Sequence, residues 1–408
     1  MSNETDLLVI GGGAAGMAAA VTAAEHGDRV LILERGNRNG RKIAASGNGR
    51  CNLLNRGQPR YYGDSRFAEK VISLKGAKEQ TGFWKRYGLE LVEETEGRVY
   101  PMTLNSSSVN LALETAMKMN GVAVRTGTEA SKIKQTVAGF CVTARCCGDD
   151  LLFTADRVLV AAGGPAGTKH GGTDAGYRLL AGMGHTIIAP KPALTSCETD
   201  PRSVSGLAGI RTRARIAVLK NGKPAASETG EILFTETGLS GICVMQCARA
   251  METGDQIELD LTLGFGGYDK LTETAAYRKE RFGELTADWL LNGILMPKLS
   301  FAVCKQAGLP MRGEKLRELD SNAVERTAWT AAHYRMEIKS IRGFEHAQVT
   351  AGGADCSQFR PETMESTLTP GLYAAGEVLN VDGDCGGFNL MFAFGSGMLA
   401  GENGRKPL

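Results

Sequence analysis

The run Leu7-Leu8-Val9-Ile10 is unbroken by polar residues and stops at Gly11-Gly12-Gly13. An apolar run closed by glycine predicts a strand buried on both faces, as in a parallel sheet. Residues 14–26 are alanine-rich with Gly16 as the one interruption, which predicts a helix stopping at Gly27. Residues 29–33 are apolar again, and Glu34 follows at the end of that second strand. Together these segments predict one βαβ unit, right-handed by default. Val158-Leu159-Val160-Ala161-Ala162-Gly163-Gly164 predicts a further buried strand ending in small residues. Between these, residues 36–60 read as a polar, glycine-rich loop. Residues 65–125 read as mainly helical with a strand near 122–125, and residues 131–153 as a β region.

The texture changes after Pro190. Residues 211–218 alternate with period two, and Asn221-Gly222 is a hairpin signal, so a small antiparallel sheet or barrel is expected to about residue 263. Arg211, Arg213 and Arg215 would share one strand face, read as a solvent face rather than a binding site for a carboxylate or phosphate. From 269 to about 340 the charge is denser and the period helical. Near Gly352 and Gly371 the glycine-rich texture returns. The expected organisation is therefore a split nucleotide-binding domain at residues 1–190 and 345–408. Its insertions are an antiparallel β domain (191–268 and about 335–344) and a helical domain (269–334).

Composition narrows the function classes. A chain of 408 residues is too long for one simple core. Its formal charge of +2, from 47 basic and 45 acidic residues, gives no electrostatic reason to expect nucleic acid or an anionic membrane as partner. The ten cysteines stand at 51, 141, 146, 147, 197, 243, 247, 304, 356 and 385, with no CxxC among them. A zinc ribbon or a thioredoxin-type site is not expected, nor any metal, and buried structural thiols are the expectation for Cys243 and Cys247. No signal peptide is recognised ahead of the first strand, and the glycines within residues 7–24 argue against a membrane span. The expected compartment is a reducing cytoplasm.

The chemistry concentrates at the two ends. In Gly11-x-Gly13-x-x-Gly16 the first glycine permits the sharp turn and the second lets the backbone approach a pyrophosphate. The third allows close helix–strand packing, and the helix N-terminus supplies free N–H groups. Glu34 lies 23 residues beyond Gly11, where an acid accepts hydrogen bonds from ribose hydroxyls. Both FAD and NAD use this fingerprint. The choice of FAD comes from Ala374-Ala375-Gly376-Glu377, which places a carboxylate for a ribityl hydroxyl, and from Gly386-Gly387-Phe388-Asn389-Leu390. That second segment would aim a helix N-terminus at the pyrimidine end of an isoalloxazine.

The residues 11–16, 40–52, 173–176, 230–241 and 350–401 resemble the BaiN/YhiN-like FAD-binding flavoproteins, also described as an aminoacetone oxidase family. Met391-Phe392-Ala393-Phe394 departs from that pattern, which often has a more polar, tryptophan-bearing run there. The resemblance implies an α/β protein: a split Rossmann-like FAD-binding domain, akin to glutathione reductase in its nucleotide fold, with β-rich and helical insertions. It also implies reduction of conjugated carbon–carbon double bonds in oxo bile acids. The candidate cofactor set from the first half of the chain is Gly11, Gly13, Ala14, Ala15, Gly16, Glu34, Arg35, Arg41, Lys42, Ser46, Gly47, Gly49, Arg50, Cys51, Asn52, Ala130, Ala162, Gly163 and Gly164. From the C-terminal segment it is Gly376, Glu377, Asp384, Gly386, Gly387, Phe388, Asn389 and Leu390. Arg41, Lys42 and Arg50 interleave with glycines, where a cation would raise a flavin's electron affinity.

Two side chains are candidates for catalysis. His170 follows a strand expected to end near the flavin, and Tyr100 is a possible proton donor on its face. His26, at the end of the first helix, is read as structural. A disulfide-reductase mechanism is excluded because the first loop holds Cys51 alone. The sequence has one dinucleotide fingerprint, so NAD(P)H is expected to dock transiently and leave. An enone, an apolar small molecule with a carbonyl, would then take hydride from flavin N5 at its β-carbon. The expected substrate is an oxo-steroid or bile acid lodged in a cleft beside the β domain. The alternatives are a flavin amine oxidase using oxygen and a non-catalytic flavin-binding protein. Oligomeric state is left open.

Overall fold

The computed structural model describes residues 4–310, 313–320 and 322–403. Contacts divide the chain into two compact units, Met1–Pro192 with Gln348–Leu408, and Ala193–Ala347.

The first unit is built on Glu4–Ile10, whose Leu7, Leu8, Val9 and Ile10 are buried. Val30–Leu33 pairs with it on one side and Asp149–Val160 on the other, both parallel. Ala123–Arg125 extends the sheet beyond Val30–Leu33, and Leu372–Ala374 extends it beyond Asp149–Val160, again in parallel. A strand from late in the chain thus completes a sheet begun at its start. The early part of Asp149–Val160 has a second partner, Gly139–Cys146, which pairs in turn with Thr128–Thr136 to make an antiparallel meander.

The first helix, Ala14–Glu25, is almost wholly buried and carries little amphipathic contrast, because its other side is covered by a second helix, Phe388–Glu402. The two approach closely through glycine. A Cβ added at Gly397 would stand 2.2 Å from Ala15 O, and one at Gly401 would stand 2.5 Å from Ala19 O. Ser396 Oγ accepts from Gly376 N at 2.9 Å, tying the same helix to the end of the Leu372–Ala374 strand. His26 caps the first helix, its Nδ1 2.7 Å from Thr22 O, in keeping with a structural role.

Residues 36–60 are less loop-like than their composition suggests. They contain the helix Arg41–Ala45 and a turn in which Gly47, Asn48, Gly49 and Cys51 all have positive φ. Residues 65–125 hold three helices, Ser65–Lys75, Ala77–Arg86 and Ser106–Met119. Between them lies a small antiparallel sheet of Leu91–Glu93, Arg98–Pro101 and Leu54–Asn55. Strands of two to four residues are too short to leave a period in the sequence.

The second unit is a closed barrel of Cys197–Thr199, Gly238–Ser240, Lys223–Phe234, Arg211–Lys220, Gln256–Asp260 and Tyr334–Ile341. Asn221 and Gly222, at φ +51° and +77°, join its two longest strands, as a two-residue hairpin requires. Ala214, Ile216 and Val218 point inward, while Arg211, Arg213 and Arg215 are exposed. Arg211 pairs with Glu231, and Arg215 with Asp260 at 3.6 Å. The helices Tyr268–Arg281, Pro297–Gln306 and Ala323–Ala332 share one apolar core with the barrel: Leu271, Leu299 and Ala328 join Ile216, Ile257 and Ile338. Cys243 and Cys247 are buried in it.

Two outcomes are expected. Gly397→Val drives a side chain into the Ala15 carbonyl and pushes the two helices apart, so the first unit should lose about 1–3 kcal/mol; thermal unfolding of the purified protein measures it. His185 is buried, its ring stacked 4.5 Å from that of Phe359, and burial holds its pKa below the usual 6.5. The unfolded state therefore binds the proton more readily, and stability falls as pH drops below about 6.5. Between pH 7.5 and 5.5 the parent should lose more stability in urea than His185→Phe does.

Candidate active site

The glycines of the first turn divide by what surrounds them. A Cβ at Gly11 would meet Ala161 O at 2.5 Å, one at Gly12 would meet Asn39 Oδ1 at 1.9 Å, and one at Gly16 would meet Gly11 O at 1.9 Å. At Gly13 and Gly163 a Cβ meets nothing within 4 Å. The first group builds the turn, and the second faces open space beside the N-terminus of Ala14–Glu25. That helix has no side-chain cap and no acid in its first turn, so its N–H groups remain free for an anion. Ala14 and Ala15 are buried and offer only their backbone.

Glu34 is held rigidly. Its Oε2 accepts from Gly12 N at 2.8 Å and its Oε1 from Gly36 N at 2.5 Å, leaving further lone pairs for hydroxyl donors. Two buried amide oxygens nearby have no partner, Asn39 Oδ1 and Asn110 Oδ1. Asn110 Oδ1 lies 2.2 Å from where a Gly40 Cβ would stand. Buried orphan acceptors are costly, and ribose or adenine donors would relieve them. Asn110 sits inside the helix Ser106–Met119, where no motif marks it. Asn39, between Gly36 and Gly40, stood in a stretch already suspect.

The basic residues of this arm are engaged. Arg35 donates to Gly171 O and Arg41 to Lys169 O, both at 3.1 Å. They brace the turn Thr168–His170, in which His170 is exposed. Ala130 is buried in the meander opposite Ala144. Ala162 lies beside Gly163 just past the strand, which ends at Val160. Gly164 is packed against Thr350 Oγ1 and the Tyr177 hydroxyl.

Lys42 Nζ meets Glu377 Oε2 at 2.5 Å, and Glu377 Oε1 accepts from Thr350 N at 2.9 Å. Each carboxylate oxygen thus has a protein donor, and the pair joins the two glycine-rich ends. A ribityl hydroxyl would have to share Glu377 with Lys42. Gly376, at φ +76°, brings its Cα face against Ala15, where a Cβ would be 2.9 Å from Ala15 Cβ.

The second arm forms where residues 46–52, Arg98–Pro101 and the Gly386-Gly387 turn converge. Gly387 has φ +103° and no room for a Cβ, which would stand 2.4 Å from Leu54 O and 2.7 Å from Asn52 Oδ1. Asn52 Oδ1 is buried without a partner, beside the uncapped N-terminus of Phe388–Glu402. One orphan acceptor next to free N–H donors suits the pyrimidine edge of a flavin, which offers one N–H between two carbonyls. Gly386 is fixed by Asn55 Nδ2, which donates to its carbonyl at 2.8 Å.

Three of the expected cofactor residues in the C-terminal segment spend their side chains elsewhere. Asp384 accepts from the Tyr62 hydroxyl at 2.7 Å and lies 3.2 Å from Arg60 Nε. Asn389 closes its own loop, exchanging hydrogen bonds of 2.8 Å with the backbone of Gly383. Phe388 packs edge-on against Tyr61. Phe388 and Asn389 can still contribute N–H groups, as can Leu390. Cys51 is fully buried, its thiol pushed up to about 12 by burial, and Ser46 bonds to Ile43 O. The apolar Met391-Phe392-Ala393-Phe394 run also faces the core, with Phe394 edge-on to Trp84 at 4.8 Å.

Tyr100 is buried. The Arg50 guanidinium lies 4.4 Å over its ring, and Arg50 is itself paired with Glu94. Gly47 packs at the ring edge. Burial raises the phenol above its ordinary range, against the opposing influence of Arg98 and Arg50. Tyr100 and His170 therefore belong to different arms. Gly49 is open, with no atom within 4 Å of an added Cβ.

The family described as the HI0933-like protein Rossmann domain matches residues 5–403. The chain belongs to that family. It is accordingly an FAD-dependent oxidoreductase of Rossmann fold. A 3-dehydro-bile acid delta(4,6)-reductase of Clostridium scindens is 34% identical over 97% of each chain. A ribosomal RNA dihydrouridine synthase of Escherichia coli is 25% identical over 98% of this chain and 97% of its own. In fold, the HI0933-like chain is similar to a 3-ketosteroid-delta4-(5alpha)-dehydrogenase from Rhodococcus jostii RHA1. The TM-score is 0.51 at 16% identity, over 99% of this chain and 97% of that one. A flavocytochrome c3 fumarate reductase gives the same TM-score at 15% identity, over 98% and 78%. Among the described residues no helix is long and apolar enough to cross a membrane.

Lys42→Met should weaken FAD binding about 10–100-fold, the scale of a lost hydrogen bond to a charged group. Glu377→Gln should weaken it less, because an amide oxygen can still accept from Lys42. Titration of apoprotein with FAD, followed by flavin fluorescence, measures both.

Proposed function

We propose that this protein reduces a carbon–carbon double bond conjugated to a carbonyl in an oxo-steroid or bile-acid-like enone, with NAD(P)H as a transient electron donor. The observation carrying this reading is the 34% identity, over 97% of each chain, to a reductase of 3-dehydro bile acids. Its name describes a ketone in conjugation with ring double bonds. The dihydrouridine synthase relative is named for the saturation of a uracil double bond, which is also conjugated to a carbonyl. The reaction type common to both is addition of two hydrogens across an activated C=C.

Bound FAD would supply the hydride chemistry. Gly13, Gly163 and the free N–H groups of Ala14–Glu25 would receive its pyrophosphate, Glu34 its ribose, and Asn52 with the Phe388–Glu402 N-terminus its pyrimidine edge. The second half of the reaction needs a proton at the α-carbon. Tyr100 is fitted to hold one, since a phenol carries its proton at neutral pH, burial favours the neutral form further, and the Arg50 guanidinium lies over its ring. His170 sits on the opposite arm, so the donor role falls to Tyr100.

An RNA substrate is the second reading, favoured by the full-length similarity to the dihydrouridine synthase. A net charge of +2 offers little general attraction for a polyanion.

Anaerobic mixing with NADH or NADPH should bleach the flavin, and a 4,6-unsaturated 3-oxo-steroid should then restore its colour while gaining two hydrogens by mass. Failure of both nicotinamides to bleach it, with rapid aerobic turnover of amines, would favour the oxidase instead. Recolouring by uridine-containing RNA alone would move the substrate to the second reading. Tyr100→Phe should lower steroid turnover about 10²–10⁴-fold while FAD content and the rate of bleaching stay unchanged.

A further inference from the structure

Gly139–Cys146 and Asp149–Val160 turn at Cys147-Gly148, with Cys146 opposite Asp149. Both turn residues have positive φ, +54° and +98°. A two-residue hairpin of this kind calls for Asn or Gly at its first position, and a Cβ there is disfavoured. Cysteine occupies it nonetheless, beside a second cysteine. The two sulfurs stand 4.0 Å apart. Of the ten cysteines, Cys147 alone is exposed, Cys146 is half-buried, and six others are buried.

Geometry separates two fates for such a pair. A direct disulfide prefers Cα atoms roughly 4.4–6.8 Å apart, whereas a trans peptide fixes neighbours at about 3.8 Å. No cis peptide is present among the described residues. Two sulfurs bound to one pyramidal trivalent centre through bonds of about 2.3 Å lie roughly 3.3 Å apart, which a small rotation of the exposed Cys147 side chain reaches from the spacing found. Among the described residues no group of three His, Cys, Asp or Glu side chains is arranged to hold a metal ion. The centre must therefore be content with two protein ligands, and both are soft sulfur donors.

We propose that Cys146 and Cys147 form a chelating site for a soft trivalent metalloid, of the class represented by organoarsenic(III) compounds. In the binding step two S–H bonds and two As–OH bonds break, two As–S bonds form, and two waters leave. No electrons change hands. The site stands at the far end of a 12-residue strand from the cofactor path, roughly 36 Å away, so FAD binding should not respond to it.

The test uses FAD-loaded protein mixed with one equivalent of phenylarsine oxide, desalted and weighed by intact mass, then mapped by peptide. One phenylarsenic per chain is expected on the peptide spanning residues 146 and 147, resistant to a small monothiol and released by a small dithiol. Cys146→Ser and Cys147→Ser should each weaken retention at least about 100-fold, because the second thiol acts at high effective concentration. Cys147→Gly suits the turn and should melt no lower than the parent, so its failure to retain the probe is not a failure to fold. No uptake by the parent, an adduct on other cysteines, or undiminished uptake by Cys147→Gly would each overturn the proposal.

Discussion

Helix Ala14–Glu25 and helix Phe388–Glu402 are separated in sequence by most of the chain and in space by no side chain at the crossing. Gly397 and Gly401 lay backbone against Ala15 O and Ala19 O, closer than any larger residue permits. Contact at that distance gains dispersion along both helices and allows weak Cα–H···O contacts. Its main effect is positional. With the helices in register, Leu372–Ala374 can join Asp149–Val160, and Gly376 can sit on Ala15. The Gly386-Gly387 turn then comes down on Leu54 and Asn52. The site exists because the two ends of the chain share one glycine-lined interface.

This explains which parts of the protein were legible in its sequence. The parallel strands are short, apolar and closed by glycine, so burial on both faces writes them out locally. Gly11, Gly16 and Gly387 were legible because each is a position where a Cβ collides with backbone. The Asn221-Gly222 hairpin was legible because its backbone conformation selects those two residues. In each case the constraint lies within a few residues of the signal.

What escaped depends on distant neighbours. Nothing in the sequence around Thr350 announces that its N–H binds Glu377, or that its hydroxyl accepts from Ala166 N at 3.0 Å. Asp384 and Asn389 looked like cofactor ligands because they flank the right glycines, yet their side chains hold the loop itself. Neighbourhood in sequence predicted where those residues are, not what they face. The small sheet of Leu54–Asn55, Arg98–Pro101 and Leu91–Glu93 was missed for a related reason: its strands are too short for a period, and it places Arg98 and Tyr100 at the second arm. The helical segment 269–334 looked separate because its charge is denser, but its exposed faces carry most of that charge, and the half-buried Arg278 spends its guanidinium on Leu290 O and Asn292 O. Its inner faces complete the barrel's core.

The two arms divide the work by the kind of polar group each presents. The first offers fixed acceptors and backbone donors: Glu34 locked by two N–H groups, orphan amide oxygens, and an uncapped helix. These bind and orient. The second offers a buried phenol under a guanidinium, beside another orphan acceptor and another uncapped helix. On the proposed reading, that phenol would hold its proton there until the substrate carbon takes it. The Lys42–Glu377 pair spans both, neutralising one charge from each end of the chain where burial would otherwise penalise either alone. On that same reading, the bound flavin would supply hydride and Tyr100 the proton, so both hydrogens would be delivered at the second arm while the first only binds and orients.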